Sequence, residues 1–259
     1  MLHPRIIPCL LVHKKGLVKT TKFANPKYVG DPINAVKIFN EKEVDELVVL
    51  DIDATKENRE PDYKMIENLA TECRMPLCYG GGIKTAEQAR KIFALGVEKI
   101  AISSIVIKNP QLIKDIASIV GNQSVIVVLD VKKRSFSSKY EVYTHNGTKK
   151  TGINPVNFAK EIEQLGAGEL VLNSIDEDGM MKGYNHTLIE KVRAEINIPM
   201  TVMGGAGSLG DIGELIAKHG IIGASAGSLF VFKGKYKAVL INYPNTVEKE
   251  NLISKNFTY

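Results

Sequence analysis

The chain has few cysteines, no long apolar run and no block of like charge, and each absence excludes a class of protein. Cys9, Cys73 and Cys78 are odd in number and lack CxxC spacing, which argues against a disulfide framework or a metal-binding cluster. The amino-terminal apolar run is far shorter than the ~18 residues that a membrane span needs, and no signal-peptide pattern precedes it. We therefore expect a cytoplasmic protein with no membrane role.

Linker-like segments and the common nucleotide or hydrolase motifs are also missing. No proline-, serine- or glycine-rich tract divides the 259 residues, so we expect one domain over 1–259. No Walker-type or GxSxG motif is present and the histidines lack ligand spacing, so we predict no metal and no cofactor. The net charge of +5 suits a phosphorylated small-molecule ligand and is too diffuse to predict nucleic-acid binding.

Short apolar runs alternate with segments of helical periodicity along the whole chain. Alternating strands and helices form parallel β/α units, and eight such units close a (β/α)8 TIM barrel with its active-site groups at the carboxyl ends of the strands. An open doubly wound sheet is the competing layout. The runs lie at 5–12, 46–52, 76–80, 99–103, 125–131, 169–174, 199–204 and 220–225. A further segment, "KYEVYTHNGTKKTG", predicts a hairpin that turns at Asn146-Gly147.

The sequence nearly repeats itself after 123 or 124 positions. "DELVVLDID" at Asp45 resembles "GELVLNSID" at Gly168, and "YGGGI" at Tyr79 resembles "MGGAG" at Met203. Two similar half-barrels, about 1–122 and 123–245, followed by a tail at 246–259, are the simple interpretation.

Small residues follow several strands in both halves and predict two phosphate cradles. Glycine lets backbone N–H groups approach an anion, and a serine hydroxyl adds a further donor. The alternative is that these glycines only form tight β–α turns. The predicted cradles comprise Gly81, Gly82, Ser103 and Ser104 in the first half and Gly204, Gly205, Gly227 and Ser228 in the second.

These stretches resemble the cyclase subunit (HisF) family of imidazole glycerol phosphate synthase, almost from end to end. The motifs are "RIIPCL", "GDP", "DELVVLDIDA", "YGGGI", "GVEKI", "GTKKTG", "LGAGELVLNSIDEDG", "GYN" and "GGAG". The resemblance implies a barrel that receives ammonia from a HisH-like glutaminase in a heterodimer. The family uses that ammonia to close an imidazole ring, making imidazole glycerol phosphate and AICAR from a bisphosphorylated ribulosyl nucleotide.

One residue departs from the catalytic pattern that the resemblance implies. The family uses two aspartates, of which Asp130 in "VIVVLDVKK" matches one, whereas Leu11 in "CLLV" stands at the position of the other. Leucine cannot transfer a proton, and the loss of one acid–base group typically costs about 10²–10⁴-fold in rate. Cyclase (lyase) activity is therefore in question, unless another residue substitutes: Asp51, Asp53, Asp178 or His13.

The resemblance also assigns residues at both openings of the barrel. Lys19, in the loop after the first strand, matches a mobile lid residue, and the alternative is an ordinary solvated lysine. Asp51 and Asp178 match positions at the carboxyl-end opening. A ring of salt-bridging charges closes the family's ammonia entrance at the opposite end. The matching residues, each near the start of a strand, are Arg5, Glu46, Lys99 and Glu169.

Three functional hypotheses follow. The first is an ammonia-conducting barrel in a glutamine amidotransferase complex, which serves an acetamidino-sugar-forming amidotransferase of surface (lipo)polysaccharide synthesis. The second is a histidine-biosynthesis cyclase with a rearranged acid, and the third is a structural partner with no bound substrate. Leu11 separates the first two, and the predicted cradles count against the third.

Overall fold

The computed structural model describes residues 3–135 and 137–257. Its strands are β1 (Arg5–His13), β2 (Gly16–Thr21), β3 (Ala24–Gly30), β4 (Leu47–Asp51), β5 (Leu77–Gly80), β6 (Lys99–Ile102), β7 (Val125–Lys133), β8 (Tyr140–Thr144), β9 (Lys149–Lys150), β10 (Glu169–Ser174), β11 (Met200–Met203), β12 (Gly223–Ala226), β13 (Phe232–Lys233) and β14 (Ala238–Val239). Its α-helices are α1 (Pro32–Glu41), α2 (Tyr63–Glu72), α3 (Ala86–Ala94), α4 (Leu112–Val120), α5 (Pro155–Gln164), α6 (His186–Arg193), α7 (Leu209–His219), α8 (Ser228–Val231) and α9 (Thr246–Asn256).

A closed parallel barrel forms the centre of the molecule, which confirms the predicted TIM barrel. Within the described residues, its eight strands run in the order β1, β4, β5, β6, β7, β10, β11 and β12, and β12 returns to pair with β1. Each of the eight apolar runs contributes one of these strands. No helix in residues 3–135 or 137–257 is both long and apolar enough to cross a bilayer.

Helix caps repeat along the two halves of the barrel. Asp31 and Asn154 each cap a helix whose first residue is proline, and α3 and α7 each begin with a capping box. Both pairs of helix starts are 123 residues apart, the spacing of the sequence repeat. The similarity between the halves therefore extends from sequence to backbone conformation.

Two apolar layers hold the barrel together. The larger layer lies between the strands and the surrounding helices. The smaller layer fills the barrel axis and is formed by inward-facing side chains, because successive residues of a strand point to opposite faces. Its members are Ile7, Cys9, Val48, Cys78, Ala101, Ile126, Val128, Val171 and Met203, with Leu11 and Leu50 packed against them.

Hairpins extend the carboxyl-end opening of the barrel, which we call the mouth. The loop expected after the first strand is instead an antiparallel hairpin of β2 and β3, with β2 also paired to β1. The hairpin predicted around Asn146-Gly147 is confirmed as β8 and β9, and both turn residues have positive φ. A short hairpin of β13 and β14 follows the last barrel strand.

The segment expected to be a tail forms helix α9 over most of its length. Leu252 and Asn256 of α9 lie close to Gly213 of α7, where a larger residue would need the helices to separate. Thr258 and Tyr259 lie outside the described residues.

Candidate functional site at the barrel mouth

A cavity of about 300 Å³ opens at the mouth, and the side chains predicted there converge on it. The carboxyl ends of all the barrel strands meet at this opening, so residues far apart in sequence become neighbours. The predicted residues in the lining are Leu11, Lys19, Asp51, Gly81, Gly82, Ser103, Ser104, Asp130, Asp178, Gly204, Gly205, Gly227 and Ser228.

Leu11 lies in the cavity wall on the inward-facing side of β1. Alternation along β1 turns Arg5, Ile7, Cys9 and Leu11 to the barrel interior, and Leu11 lies beside Leu50 of β4 in the parallel pairing. Both leucines line the cavity. An apolar surface therefore stands where the resemblance implies a carboxylate.

Asp130 is a half-buried carboxylate of the cavity lining, at the carboxyl end of β7. It accepts a hydrogen bond of 2.9 Å from Asn173 Nδ2 and a longer one of 3.5 Å from Ser103 Oγ. Burial raises the pKa of Asp130 to about 7, although these hydrogen bonds oppose the shift. A carboxyl group with such a pKa can hold or release a proton near neutral pH.

Sequence reasoning missed Asn173, which faces Asp130 from the neighbouring strand. β7 and β10 pair so that Asn173 lies directly beside Asp130. The Asn173 amide nitrogen is used by the carboxylate, while its Oδ1 is buried without a hydrogen-bond partner among the described residues. Asn173 fixes the orientation of Asp130 and leaves one acceptor facing the interior.

Lys19 is buried in the mouth on a strand, so the alternative of a solvated lysine and the expected placement in a loop are wrong. It lies on β2, and its ammonium donates a 2.5 Å hydrogen bond to the carbonyl of Cys9. The β1–β12 register ends at Pro8 and Ala226, and the chain turns away at Gly227. A methyl group on Gly227 would collide with the Lys19 ammonium. Burial lowers the pKa of Lys19.

The acids considered as substitutes divide into two groups. Asp53 and His13 bind each other at 2.7 Å and lie outside the cavity lining. Asp51 does line the cavity, but its carboxylate accepts hydrogen bonds from the backbone of Asp53 and Ala54. Burial raises the pKa of Asp51.

Asp178 also lines the cavity, and it ties the first hairpin to the loop after β10. Its carboxylate accepts hydrogen bonds from the Thr20 hydroxyl at 2.7 Å and from the Phe23 backbone at 3.0 Å. Burial raises the pKa of Asp178. All three carboxylates accept hydrogen bonds within the fold. Among them, only Asp130 accepts one from a side-chain amide, that of Asn173, which orients its carboxylate toward the cavity.

One pair of glycines in the two predicted cradles adopts the same conformation. Gly81 and Gly205 occupy equivalent positions and have φ of 122° and 121°, in the region that favours glycine. A Cβ on Gly81 would lie 2.5 Å from the Asp51 carbonyl oxygen. The close packing also satisfies the tight-turn alternative, so the conformations leave both interpretations of the glycines open.

Residues of the β8–β9 hairpin cover part of the mouth. Asn146 donates a 2.6 Å hydrogen bond to the Ile52 carbonyl, and the His145 backbone donates one to Ser104 Oγ at 3.2 Å. A Cβ on Gly147 would lie 3.2 Å from the Phe23 ring. The hairpin from β7 therefore crosses the mouth and meets the hairpin from β1.

The four predicted gate charges form a connected ring at the amino-terminal end of the barrel. Arg5 contacts Glu46 and Glu169, each at 2.6 Å, and Lys99 contacts the same two carboxylates at 2.7 and 3.4 Å. Burial would raise the pKa of Glu169, but the charges of Arg5 and Lys99 outweigh burial and hold it below its usual value. Two partly exposed cations thus compensate the charges of two buried carboxylates.

Thr201 also belongs to this ring, although no sequence pattern predicted it. Its hydroxyl donates a 2.5 Å hydrogen bond to Glu169. Gly223 on the adjacent strand leaves the space for that hydroxyl, because a Cβ there would collide with it. Within residues 3–135 and 137–257, no group of three His, Cys, Asp or Glu side chains is placed to hold a metal ion.

Comparisons with known proteins agree with the geometry of the barrel. Residues 5–237 match the model of a family described as histidine biosynthesis protein. A Leptospira interrogans protein, provisionally named imidazole glycerol phosphate synthase subunit HisF, is 60% identical over 252 residues, 97% of this chain and 99% of the relative. A Vibrio vulnificus protein, provisionally named subunit hisF3 of the same synthase, is 59% identical over 98% of this chain and 97% of its own. Imidazole glycerol phosphate synthase subunit HisF of Alkaliphilus metalliredigens is 40% identical over 89% of this chain and 91% of its own.

The buried carboxyl of Asp130 predicts a pH-dependent stability. Its pKa is about 7 in the fold and about 4 when unfolded, so the unfolded chain releases this proton first as pH rises. Stability should therefore fall between about pH 4 and pH 7. For Asp130→Asn, the loss of unfolding free energy over this pH range should be smaller by about 1–3 kcal/mol. Chemical denaturation at about pH 5 and about pH 8 measures the difference. The exposed control Asp115→Asn should follow the wild type, and an Asp130→Asn curve parallel to the wild type would contradict the assignment.

Proposed function

The chain belongs to the histidine biosynthesis protein family as a HisF-type cyclase subunit of imidazole glycerol phosphate synthase, and from this premise we propose that it conducts ammonia to a sugar amidotransferase. The ammonia would come from a HisH-like glutaminase and pass along the barrel axis. The final acceptor would be an N-acetyl sugar that becomes an acetamidino sugar of a surface polysaccharide. One observation carries the proposal: the gate ring is complete, whereas an apolar leucine lies where the catalytic carboxylate belongs.

The gate end supports the conduit part of the proposal. Four charges out of bulk water are costly unless paired, and here each cation contacts both carboxylates. A structural ion-pair layer would satisfy the same geometry. The axial layer above the ring is packed, so ammonia would have to pass between apolar side chains such as Ile7, Val48 and Val171, which bind a small neutral molecule weakly and exclude ions.

The mouth end supports a changed reaction. Cyclisation requires proton transfers that two positioned carboxylates perform in the family, and the leucine cannot supply one of them. Asp53 and His13 bind each other and are absent from the cavity lining, and one oxygen of Asp51 caps its own loop. The higher identity to provisionally named relatives, 59–60% against 40% for the Alkaliphilus subunit, is consistent with a group of chains that has diverged together.

Histidine-pathway cyclisation is the second candidate, and Asp130 is the observation in its favour. Its carboxyl lies in the mouth with an orienting amide and a pKa near 7, which suits a general acid or base. Asp178 would then replace the missing acid through Oδ1, because its Oδ2 accepts the hydrogen bonds from Thr20 and Phe23.

The two glycine–serine cradles predict that the mouth binds two phosphate groups. In calorimetry with inorganic phosphate, we expect two ions to bind per chain in the wild type. Ser228→Asp should reduce this to one, because a carboxylate in the second cradle repels the anion. Ser118→Asp on the exposed face of α4 is the matched control. Absence of phosphate binding by the wild type would leave the glycines as turn formers only.

The gate ring predicts that Lys99→Met will uncouple the complex. Without the Lys99 ammonium, Glu46 and Glu169 share only Arg5, so the ring no longer closes the entrance on that side. With the glutaminase bound, glutamine hydrolysis should continue while several-fold more ammonia escapes to solution. The ratio of free ammonia to hydrolysed glutamine measures the effect, and Lys160→Met is the surface control. Equal ratios for all three proteins would argue against the conduit.

The apolar mouth predicts a gain of cyclase activity from Leu11→Asp. Supplied with the bisphosphorylated ribulosyl nucleotide and ammonium salts, the wild type should be a poor cyclase, and the variant should turn over about 10²-fold faster. Leu50→Asp is the matched control, because Leu50 lies beside Leu11 in the same cavity wall but on another strand. A wild-type rate of about 1 s⁻¹ or more would instead establish that another residue has replaced the acid.

A further inference from the structure

The positive charge of the chain is concentrated on the hairpins at the mouth. Residues 14–30, 132–150 and 232–240 contain 14 of the 34 Lys and Arg but only one of the 29 Asp and Glu, Glu141. These segments therefore carry +13, and the rest of the chain carries −8. The net charge of +5 does not reveal this separation. The positive charge is not spread evenly, because the excess of bases over acids lies in these three segments.

The described residues of these hairpins form one continuous surface, which we call the basic rim (14–30, 132–135, 137–150 and 232–240). The Lys27 ammonium lies 5.1 Å from the centre of the Phe232 ring, which joins the first and last hairpins. Phe23 and Gly147 join the first hairpin to the middle one. The three segments surround an opening through which any product of the barrel must pass.

Exposed aromatic side chains lie among the lysines of the rim. Tyr28 and Tyr236 are 66% and 86% exposed, and Leu240 is 51% exposed. Tyrosine is enriched in protein–protein interfaces because its ring buries a large area while its hydroxyl stays polar. A surface made only to hold a small anion inside the cavity has no use for rings that point to solvent.

We propose that the basic rim is the docking surface for an acidic face of the protein that accepts ammonia at the mouth. This proposal rests on the proposed function and names the chemistry of its third partner. Complementary charge on the two faces would accelerate and orient their encounter. The tyrosines would supply the apolar contacts that hold the complex together.

A protein fits this face better than a uniform polyanion such as a nucleic acid or an anionic membrane. Apart from Lys19, which is buried in the mouth, the rim has twelve lysines and one arginine. That arginine, Arg134, already binds Glu141 at 2.8 Å, so the planar bidentate group that suits phosphate is occupied. The loops that follow β4 and β10 place acids such as Glu60 and Glu177 on the same face. A polyanion would meet repulsion there, whereas a protein can place a lysine or arginine opposite them.

The test measures binding of the full chain, in complex with its glutaminase, to the candidate sugar amidotransferase. Lys235→Glu/Lys237→Glu reverses two exposed rim charges, and Lys114→Glu/Lys255→Glu reverses two exposed charges on the outer helices α4 and α9. The rim variant should bind at least about tenfold more weakly, mainly through slower association, and the control variant should bind like the wild type. Added salt should weaken wild-type binding and affect the rim variant less.

Other outcomes would overturn the proposal. Equal binding by the rim and control variants would place the amidotransferase elsewhere, and an absence of wild-type binding would remove the partner. Binding to a DNA duplex or to phosphatidylglycerol vesicles as tight as binding to the amidotransferase would make the rim a polyanion site. The Lys99→Met ammonia ratio is independent of the rim, so it reports whether the conduit itself fails. Thermal unfolding of both variants confirms that the fold is intact.

Discussion

The alternation of side chains along the parallel strands is the constraint on which this molecule depends. In a closed barrel every second residue must point to the axis, so a strand position fixes the environment of its side chain. On β1 the rule turns Arg5, Ile7, Cys9 and Leu11 inward in succession. One strand thereby contributes a charge to the entrance, two apolar groups to the wall and a leucine to the mouth.

Electrostatics differ sharply between the two ends of that axis. At the amino-terminal end, Glu46 and Glu169 each contact two cations, whose charges hold the pKa of Glu169 below its usual value. At the mouth, Asp130 has an amide and a hydroxyl as its direct partners, and burial moves its pKa to about 7. Leu11 and Leu50 help to keep this region apolar. Burial and the nearby charge of Asp178 thus favour the protonated form of Asp130, whereas the entrance carboxylates are surrounded by cations.

Local sequence patterns predicted much of the fold, whereas contacts between segments that are distant in sequence could not be predicted. The barrel strands are short apolar runs, and α3 and α7 begin with capping residues. Both signals can be found in the sequence without knowing the fold. β3 is exposed along most of its length, and its pairing with β2 is irregular, so no apolar alternation marked the first hairpin. The burial of Lys19 and the Asn173 contact depend on strands meeting across the barrel, which no local pattern reports.

The separation of charge between hairpins and body follows from what each must do. The outer helices and the entrance need both signs, because ion pairs and caps use acids as often as bases. The hairpins contribute little to the apolar core, so their composition is less constrained by folding. A bias as strong as 14 bases to one acid in them places like charges close together and weakens the fold through self-repulsion. The docking proposed above would offset that repulsion, because an acidic partner face would lie against the basic rim. The position of the rim around the mouth would place that partner where ammonia is proposed to leave the barrel.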